Sequence, residues 1–131
     1  MYDGRVAIAI WAPDDQQHEQ SRKAGAALAA AGYTLLVPGS GPGSEELCRV
    51  IFEAGESPVS FRLEGAAVDW ADIPGLRLVE HADELSRLQE ILTTAEALVL
   101  LPGDMEVMAA LMQVWAWGHR RDGAYRPVLL L

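Results

Sequence analysis

Apolar runs alternate along the chain with segments in which apolar residues recur every three or four positions. The runs predict β-strands and the spaced segments predict amphipathic helices. Six strands are predicted, at Arg5–Trp11, Tyr33–Val37, Pro58–Leu63, Leu76–Val79, Ala97–Leu101 and Val128–Leu131. Four helices are predicted between them, at Gln16–Ala31, Ser44–Ala54, Asp83–Thr94 and Val107–Gly118, and Glu64–Pro74 is predicted to be a loop.

Short polar residues and glycines mark the predicted helix ends. Asp14 or Asp15 is expected to cap the first helix, and Ser44 the second, because their side-chain oxygens accept backbone N–H groups. Gly32 and Gly55 are the expected stops of those two helices, since glycine adopts a left-handed conformation without strain.

Strands that alternate with helices imply right-handed crossovers and a mostly parallel sheet covered on both faces. The near-continuous apolar strands agree, because a sheet buried on both sides has no polar face. The predicted fold class is α/β, a Rossmann-like three-layer α/β/α sandwich with a mostly parallel sheet of about six strands. We expect a single domain over residues 1–131, of which 50% are hydrophobic.

Composition and charge exclude several classes of function. The net charge of −9 at pH 7 disfavours partners such as nucleic acid and anionic membranes. No apolar run approaches the ~20 residues of a transmembrane helix. The single cysteine, Cys48, cannot form an internal disulfide, and the three histidines share no metal-ligand spacing. We therefore expect a cytoplasmic domain with no nucleic-acid or membrane partner, no metal and no cofactor.

Open parallel sheets bind ligands at the carboxyl ends of their strands, near the point where the strand order reverses. Three segments of this chain would meet there: Trp11–Asp15, Pro38–Ser44 and Pro102–Val107. In the second segment, residues without Cβ let a ligand approach the backbone closely, although such turns also occur without a ligand. The candidate ligand contacts of this segment are Gly39, Ser40, Gly41 and Gly43.

The third segment joins a buried strand to a helix, an arrangement that offers backbone N–H groups to a phosphate. Its candidate contacts are Pro102, Gly103, Asp104, Glu106 and Val107. Two of these, Asp104 and Glu106, are carboxylates that would face a bound phosphate with like charge. Two unit charges of the same sign about 4 Å apart repel by roughly 4 kcal/mol at an effective dielectric constant of ~20. Acidic residues in a first helical turn also have a simpler role, since each stabilises the helix dipole by ~0.3–1 kcal/mol. This simpler role applies to Asp104, Glu106, Glu45 and Glu46.

The segment Ala24–Gly43, AGAALAAAGYTLLVPGSGPG, resembles the glycine-rich opening of the Lonely guy family, which are phosphoribohydrolases. Arg87 precedes Pro102 by fifteen residues, similar to the separation of that family's active-site arginine from its P-G-G-x-G-T-x-x-E motif. The resemblance implies a ligand-binding Arg87, a nucleotide or ribose-phosphate ligand, and a homodimer that packs through the apolar helix Met108–Trp117. Without the resemblance, Arg87 would equally suit a surface ion pair with Asp83 or Glu84.

The chain departs from P-G-G-x-G-T-x-x-E after the first two positions. Asp104, Glu106, Val107 and Ala110 replace the second glycine, the third glycine, the threonine and the glutamate. In the family that glutamate is thought to act at the ribose, where a carboxylate stabilises oxocarbenium character and an alanine cannot. Glu106 lies one turn before Ala110, so a shifted loop would bring it to the ribose; alternatively, the acidic turn would hold a bridging cation.

Three functions stay open at this point. The favoured one is a non-catalytic binder of a nucleotide or ribose-phosphate at the carboxyl ends of the strands. The second is an active nucleoside 5′-monophosphate phosphoribohydrolase with a rearranged site, and the third is a protein-interaction module with no ligand. The fold does not decide among them, because function depends on the chemistry of the site.

Overall fold

The computed structural model describes residues 4–12, 19–65, 72–101 and 128–130. The elements in these ranges are β1 (Ala7–Trp11), α1 (Glu19–Ala30), β2 (Thr34–Pro38), α2 (Pro42–Glu53), β3 (Val59–Leu63), β4 (Arg77–His81), α3 (Glu84–Thr94), β5 (Ala97–Leu100) and β6 (Val128–Leu130). The predicted helix Val107–Gly118 lies outside the described residues, as do the capping candidates Asp14 and Asp15.

The strands of the described part form one six-stranded sheet in the order β4-β3-β2-β1-β5-β6. All neighbouring strands in this sheet run parallel. The chain moves outward from β1 to β4 and then returns to the other side of β1 with β5. The strand order therefore reverses between β1 and β5, which is the topological switch point of the sheet.

Helices cover both faces of the sheet and create two hydrophobic cores. Ala7, Ala9 and Trp11 of β1 point into the core under α3, whereas Ile8 and Ile10 point into the core under α1 and α2. This alternation follows from the two-residue period of a strand and requires apolar side chains on both faces. The predicted α/β architecture with a parallel sheet is confirmed. None of the described helices is long and apolar enough to cross a bilayer.

The described helix ends show which capping predictions were correct. Gly32 and Gly55 follow α1 and α2 with φ angles of 93° and 92°, so both predicted stops are confirmed. Asp83 caps α3, because its carboxylate accepts the Ser86 N–H at 2.8 Å, and this bond lowers the pKa of the Asp83 carboxyl. Ser44 is not the cap of α2, which begins two residues earlier.

One further prediction was wrong in detail. Strand β4 covers Arg77–His81 rather than Leu76–Val79, because an edge strand with one exposed face lacks a continuous apolar run. Apolar Leu85, in the predicted helix Asp83–Thr94, is 59% exposed in α3. The buried stripe of that helix instead consists of Arg87, Leu88, Ile91 and Leu92.

Candidate ligand-binding site

The carboxyl ends of β5, β1 and β2 lie side by side, with β1 in the middle. Trp11 at the end of β1 is level with Leu100 of β5, and the Leu101 N–H donates to the Trp11 carbonyl at 3.1 Å. Residues 13–18 and 102–127 lie outside the described part of the chain. Five candidate contacts therefore stay predictions: Pro102, Gly103, Asp104, Glu106 and Val107. The three predicted segments, which follow β1, β2 and β5, nevertheless all begin at the same edge of the sheet.

The turn after β2 depends on Gly39. Its φ of 116° lies in the region that side chains with a Cβ rarely adopt. Its N–H donates to the Phe61 carbonyl of β3 at 3.0 Å, so the residue is still tied to the sheet. A Cβ at this position would lie 2.5 Å from the Ser44 hydroxyl oxygen. Backbone conformation and space therefore both require glycine here.

Helix α2 begins directly after this turn, and its N-cap residue has no side chain that could cap it. Gly41 is the N-cap with an extended backbone and makes no side-chain hydrogen bond, and Pro42 follows in the first turn. Proline suits this position because its missing N–H would have no partner inside the helix. The buried Ser44 hydroxyl donates instead to the Pro38 carbonyl at 3.1 Å. The positive end of the helix dipole thus lies beside the glycine turn, at the carboxyl edge of the sheet.

A buried polar pair on β3 lies next to the same turn. Ser60 is fully buried and Arg62 is 4% exposed. The Arg62 Nε–H donates to the Ser60 hydroxyl at 2.9 Å, and the Ser60 hydroxyl in turn lies 3.5 Å from the Gly39 carbonyl. Burial lowers the pKa of the Arg62 guanidinium, an effect that nearby Cys48 and Glu80 oppose. Sequence reasoning missed this pair.

A signal for the pair was present in the segment VSFRL. Polar Ser60 and Arg62 alternate there with apolar Val59 and Phe61, a pattern that ordinarily indicates a strand with one face in solvent. In this sheet α2 covers that face, so the polar residues are buried. The pattern alone does not distinguish these two situations.

Arg87 lies in the first turn of α3, on the opposite face of the sheet from α2. The residue is largely buried, with 9% of its surface exposed. Its backbone N–H donates to the Asp83 carbonyl at 3.2 Å. Because α3 follows the carboxyl end of β4, Arg87 and the glycine turn share one edge of the sheet.

The other chemically interesting residues have structural roles. Burial raises the pKa of the Cys48 thiol to about 12, against a smaller opposing effect of Arg62, so the thiol stays protonated near neutral pH. Glu45 forms an ion pair with Arg49 at 2.9 Å, one turn further along α2. His81 pairs with Glu90 and stacks on Phe61. Within the described ranges no group of His, Cys, Asp and Glu side chains could hold a metal ion.

Solved structures share this fold, although no family model matches the sequence and no curated protein matches it. The structural-genomics target TM1055 superposes with a TM-score of 0.71 at 19% identity, over 94% of this chain and 72% of that chain. The molybdenum cofactor carrier protein from Chlamydomonas reinhardtii superposes with a TM-score of 0.65 at 18% identity, over 96% of this chain and 76% of its own. At these identities the likeness shows the fold alone, and the fold is Rossmann-like.

The role of Gly39 is tested by comparing two glycines with similar backbone strain. Gly55→Ala introduces a Cβ at a positive φ angle but with nothing within 4 Å, so it should cost about 1–2 kcal/mol of unfolding free energy. Gly39→Ala adds a clash with Ser44 and should cost more. Urea denaturation measures both, and an equal or smaller loss for Gly39→Ala would show that the turn does not need its space.

The raised pKa of the buried Cys48 thiol predicts that the unfolding free energy depends on pH in the alkaline range. Its pKa of about 12 lies above the ordinary value of 9.0, so the folded state holds this proton more tightly than the unfolded state. The stabilisation is complete below about pH 9 and is lost as the pH rises toward 12. The stability of the wild type relative to Cys48→Ala should therefore fall across this range. A constant difference in unfolding free energy would contradict the assignment.

Proposed function

We propose that this domain binds a nucleotide or ribose-phosphate ligand at the carboxyl ends of β1, β2 and β5. The observation that carries the proposal is the turn from β2 into α2, beside the topological switch. Gly39 and Gly41 have no side chains to obstruct a phosphate, and the positive end of the α2 dipole attracts an anion. A ligand at this edge follows the general rule for open parallel sheets.

Arg87 supports the same site from the other face of the sheet. Its guanidinium is permanently charged, and its planar donors match a phosphate or the oxygens of a sugar. Burial limits its rotamers, so less entropy is lost when it binds a ligand. The proposed ligand contacts are the turn residues Gly39, Ser40, Gly41 and Gly43, together with Arg87 and, beyond the described residues, Pro102, Gly103, Asp104, Glu106 and Val107.

We also propose that the bound ligand is not hydrolysed. Ala110 stands where the Lonely guy motif has its glutamate, and an alanine offers neither charge nor a proton. A molybdenum cofactor carrier protein has a similar fold, and its name describes transport rather than conversion of a ligand. A homodimer and a cytoplasmic location remain part of the proposal, on the basis of the sequence resemblance and of the single cysteine.

Ligand-dependent melting tests binding. The panel contains the four common nucleoside 5′-monophosphates, ribose 5-phosphate and a dinucleotide. A ligand present at about 100 times its dissociation constant should add about 2.7 kcal/mol of stability and raise the melting temperature by several degrees. Arg87→Ala should lose most of this shift, and Arg87→Lys should keep part of it because it retains the charge but not the planar donors.

Arg5→Ala is the matched control for the arginine variants. Arg5 precedes β1 at the opposite edge of the sheet and pairs with Glu56, so its loss should leave the ligand shift unchanged. No shift with any ligand in the panel would contradict the proposal and favour an interaction module. Chromatographic detection of free base released from a nucleoside monophosphate, lost in Arg87→Ala, would instead establish a phosphoribohydrolase.

A further inference from the structure

The outer edge of β4 presents backbone groups that no described strand uses. β4 is the last strand on its side of the described sheet, where it pairs with β3. Alternate residues of a parallel strand bond to the same neighbour, and the Arg77 N–H and the His81 carbonyl both bond to residues that flank β3. The N–H and C=O groups of Leu78 and Glu80 therefore point away from β3, toward the edge of the sheet.

The side chains along this edge are accessible to solvent. Leu78 is 44% exposed, and Arg77 and Glu80 are exposed as well. An exposed edge strand is a template for a further strand, and charged side chains are the usual means of preventing such pairing. Whether a strand can pair with β4 therefore depends on which charges the pairing brings together.

A second copy of this chain would meet the edge with the same strand. A two-fold axis perpendicular to the sheet makes the two β4 strands antiparallel. With the axis at Val79, Leu78 of each copy lies opposite Glu80 of the other, and these two residues exchange both of their backbone hydrogen bonds. Every outward N–H and C=O group of Leu78 and Glu80 is then paired.

The same register brings opposite charges together on the face that α3 covers. Arg77 of one copy lies opposite His81 of the other, because both residues are equally far from the axis. His81 is bonded to Glu90 of α3, whose side chain is 48% exposed. Arg77 therefore lies level with the Glu90 carboxylate of the second copy. A guanidinium has several donors, so this contact adds to any that Arg77 makes within its own chain.

The position of α3 suits the same arrangement. This helix contacts both β3 and β4, so it lies over the boundary between them. Neighbouring strands are about 4.8 Å apart, which would place the two α3 helices about 10 Å apart across the axis. Packed helices have interaxial distances of about 8–10 Å. Pairing of the strands would therefore bring the two helices to an ordinary packing distance.

The exposed leucine on the opposite face also gains a contact. In this register the Leu78 side chains of the two copies are diagonal neighbours, a separation that long side chains can bridge. Both flank the axis, so pairing of the edges buries apolar surface that is exposed in the single chain.

We propose that β4 is an interaction surface for a second copy of this chain, which pairs antiparallel with it about a two-fold axis at Val79. The two sheets then form one continuous sheet, held by the backbone bonds of β4 and by contacts between Arg77 and Glu90. This surface is distinct from the proposed ligand site. It is also distinct from the helix Met108–Trp117, the dimer contact that the sequence resemblance implies.

Cysteine cross-linking of the full chain tests the register. Each variant also carries Cys48→Ala, which removes the native thiol. Val79→Cys places two thiols at a non-hydrogen-bonded pair with Cα atoms about 4.5 Å apart, so mild oxidation should link most of the protein into dimers. Leu78→Cys is the matched control, because its thiols would be on diagonal neighbours about 7–8 Å apart, beyond the reach of a disulfide. Equal linking in both variants, or linking in Leu78→Cys alone, would contradict the register.

The dissociation constant of the dimer, measured by analytical ultracentrifugation, tests the charges. Arg77→Glu and Glu90→Arg should each raise it about tenfold, equivalent to about 1.4 kcal/mol, because like charges then meet. The double variant restores opposite charges across the interface and should recover most of the affinity. Recovery identifies a contact between copies, because a change at Arg77 does not repair the lost contact between His81 and Glu90.

The remaining outcomes are decisive as well. A wild type that stays monomeric at every concentration contradicts the inference, and so does a dimer in which Val79→Cys forms no link. A double charge variant that is no tighter than the single variants also contradicts it. If Val79→Cys does not fold, the charge variants decide the question. The nucleotide melting panel is a separate measurement, so the proposed function stands or fails independently.

Discussion

The pairing of β1 with β2 on one side and with β5 on the other determines where the other elements lie. It makes β1 the centre of the sheet and requires apolar side chains on both of its faces. It also creates the reversal of strand order, because β2, β3 and β4 extend one way and β5 and β6 the other. The segments that follow β1, β2 and β5 consequently begin together at one edge, which is where we propose that the ligand binds.

Residues in the centre of the fold were predictable from the sequence because burial on both faces leaves a continuous apolar run. The strand Ala97–Leu100 is the clearest case, and its predicted end differs by one residue. The predicted bounds of the edge strand β4 were too early in the chain, because its exposed positions interrupt the run of apolar residues. Ser44 was mistaken for a helix cap because residue type does not show that α2 starts at Pro42.

The candidate site was predictable in part for the same reasons. The glycine-rich segment after β2 predicted the turn, and the separation of Arg87 from Pro102 suggested Arg87 as a ligand contact. Ser60 and Arg62 were not predictable, because their burial depends on where α2 lies against the sheet. The position of α2 depends on the tertiary structure. It buries the polar face of β3, where Arg62 contacts Ser60 and Ser60 lies near the Gly39 carbonyl of the turn. The proposal of a non-hydrolytic site still depends on residues of the sequence motif, Ala110 above all.

The most direct test is to map a nucleotide onto the backbone amides by ¹H–¹⁵N NMR during titration with adenosine 5′-monophosphate. We expect the amides of Gly39, Ser40 and Gly41 to shift together along one saturating curve. Gly32 and Gly55, which end α1 and α2 at the opposite edge of the sheet, should not move. Saturating shifts centred on Gly32 and Gly55, or no shifts at the turn, would contradict a ligand site at the carboxyl edge.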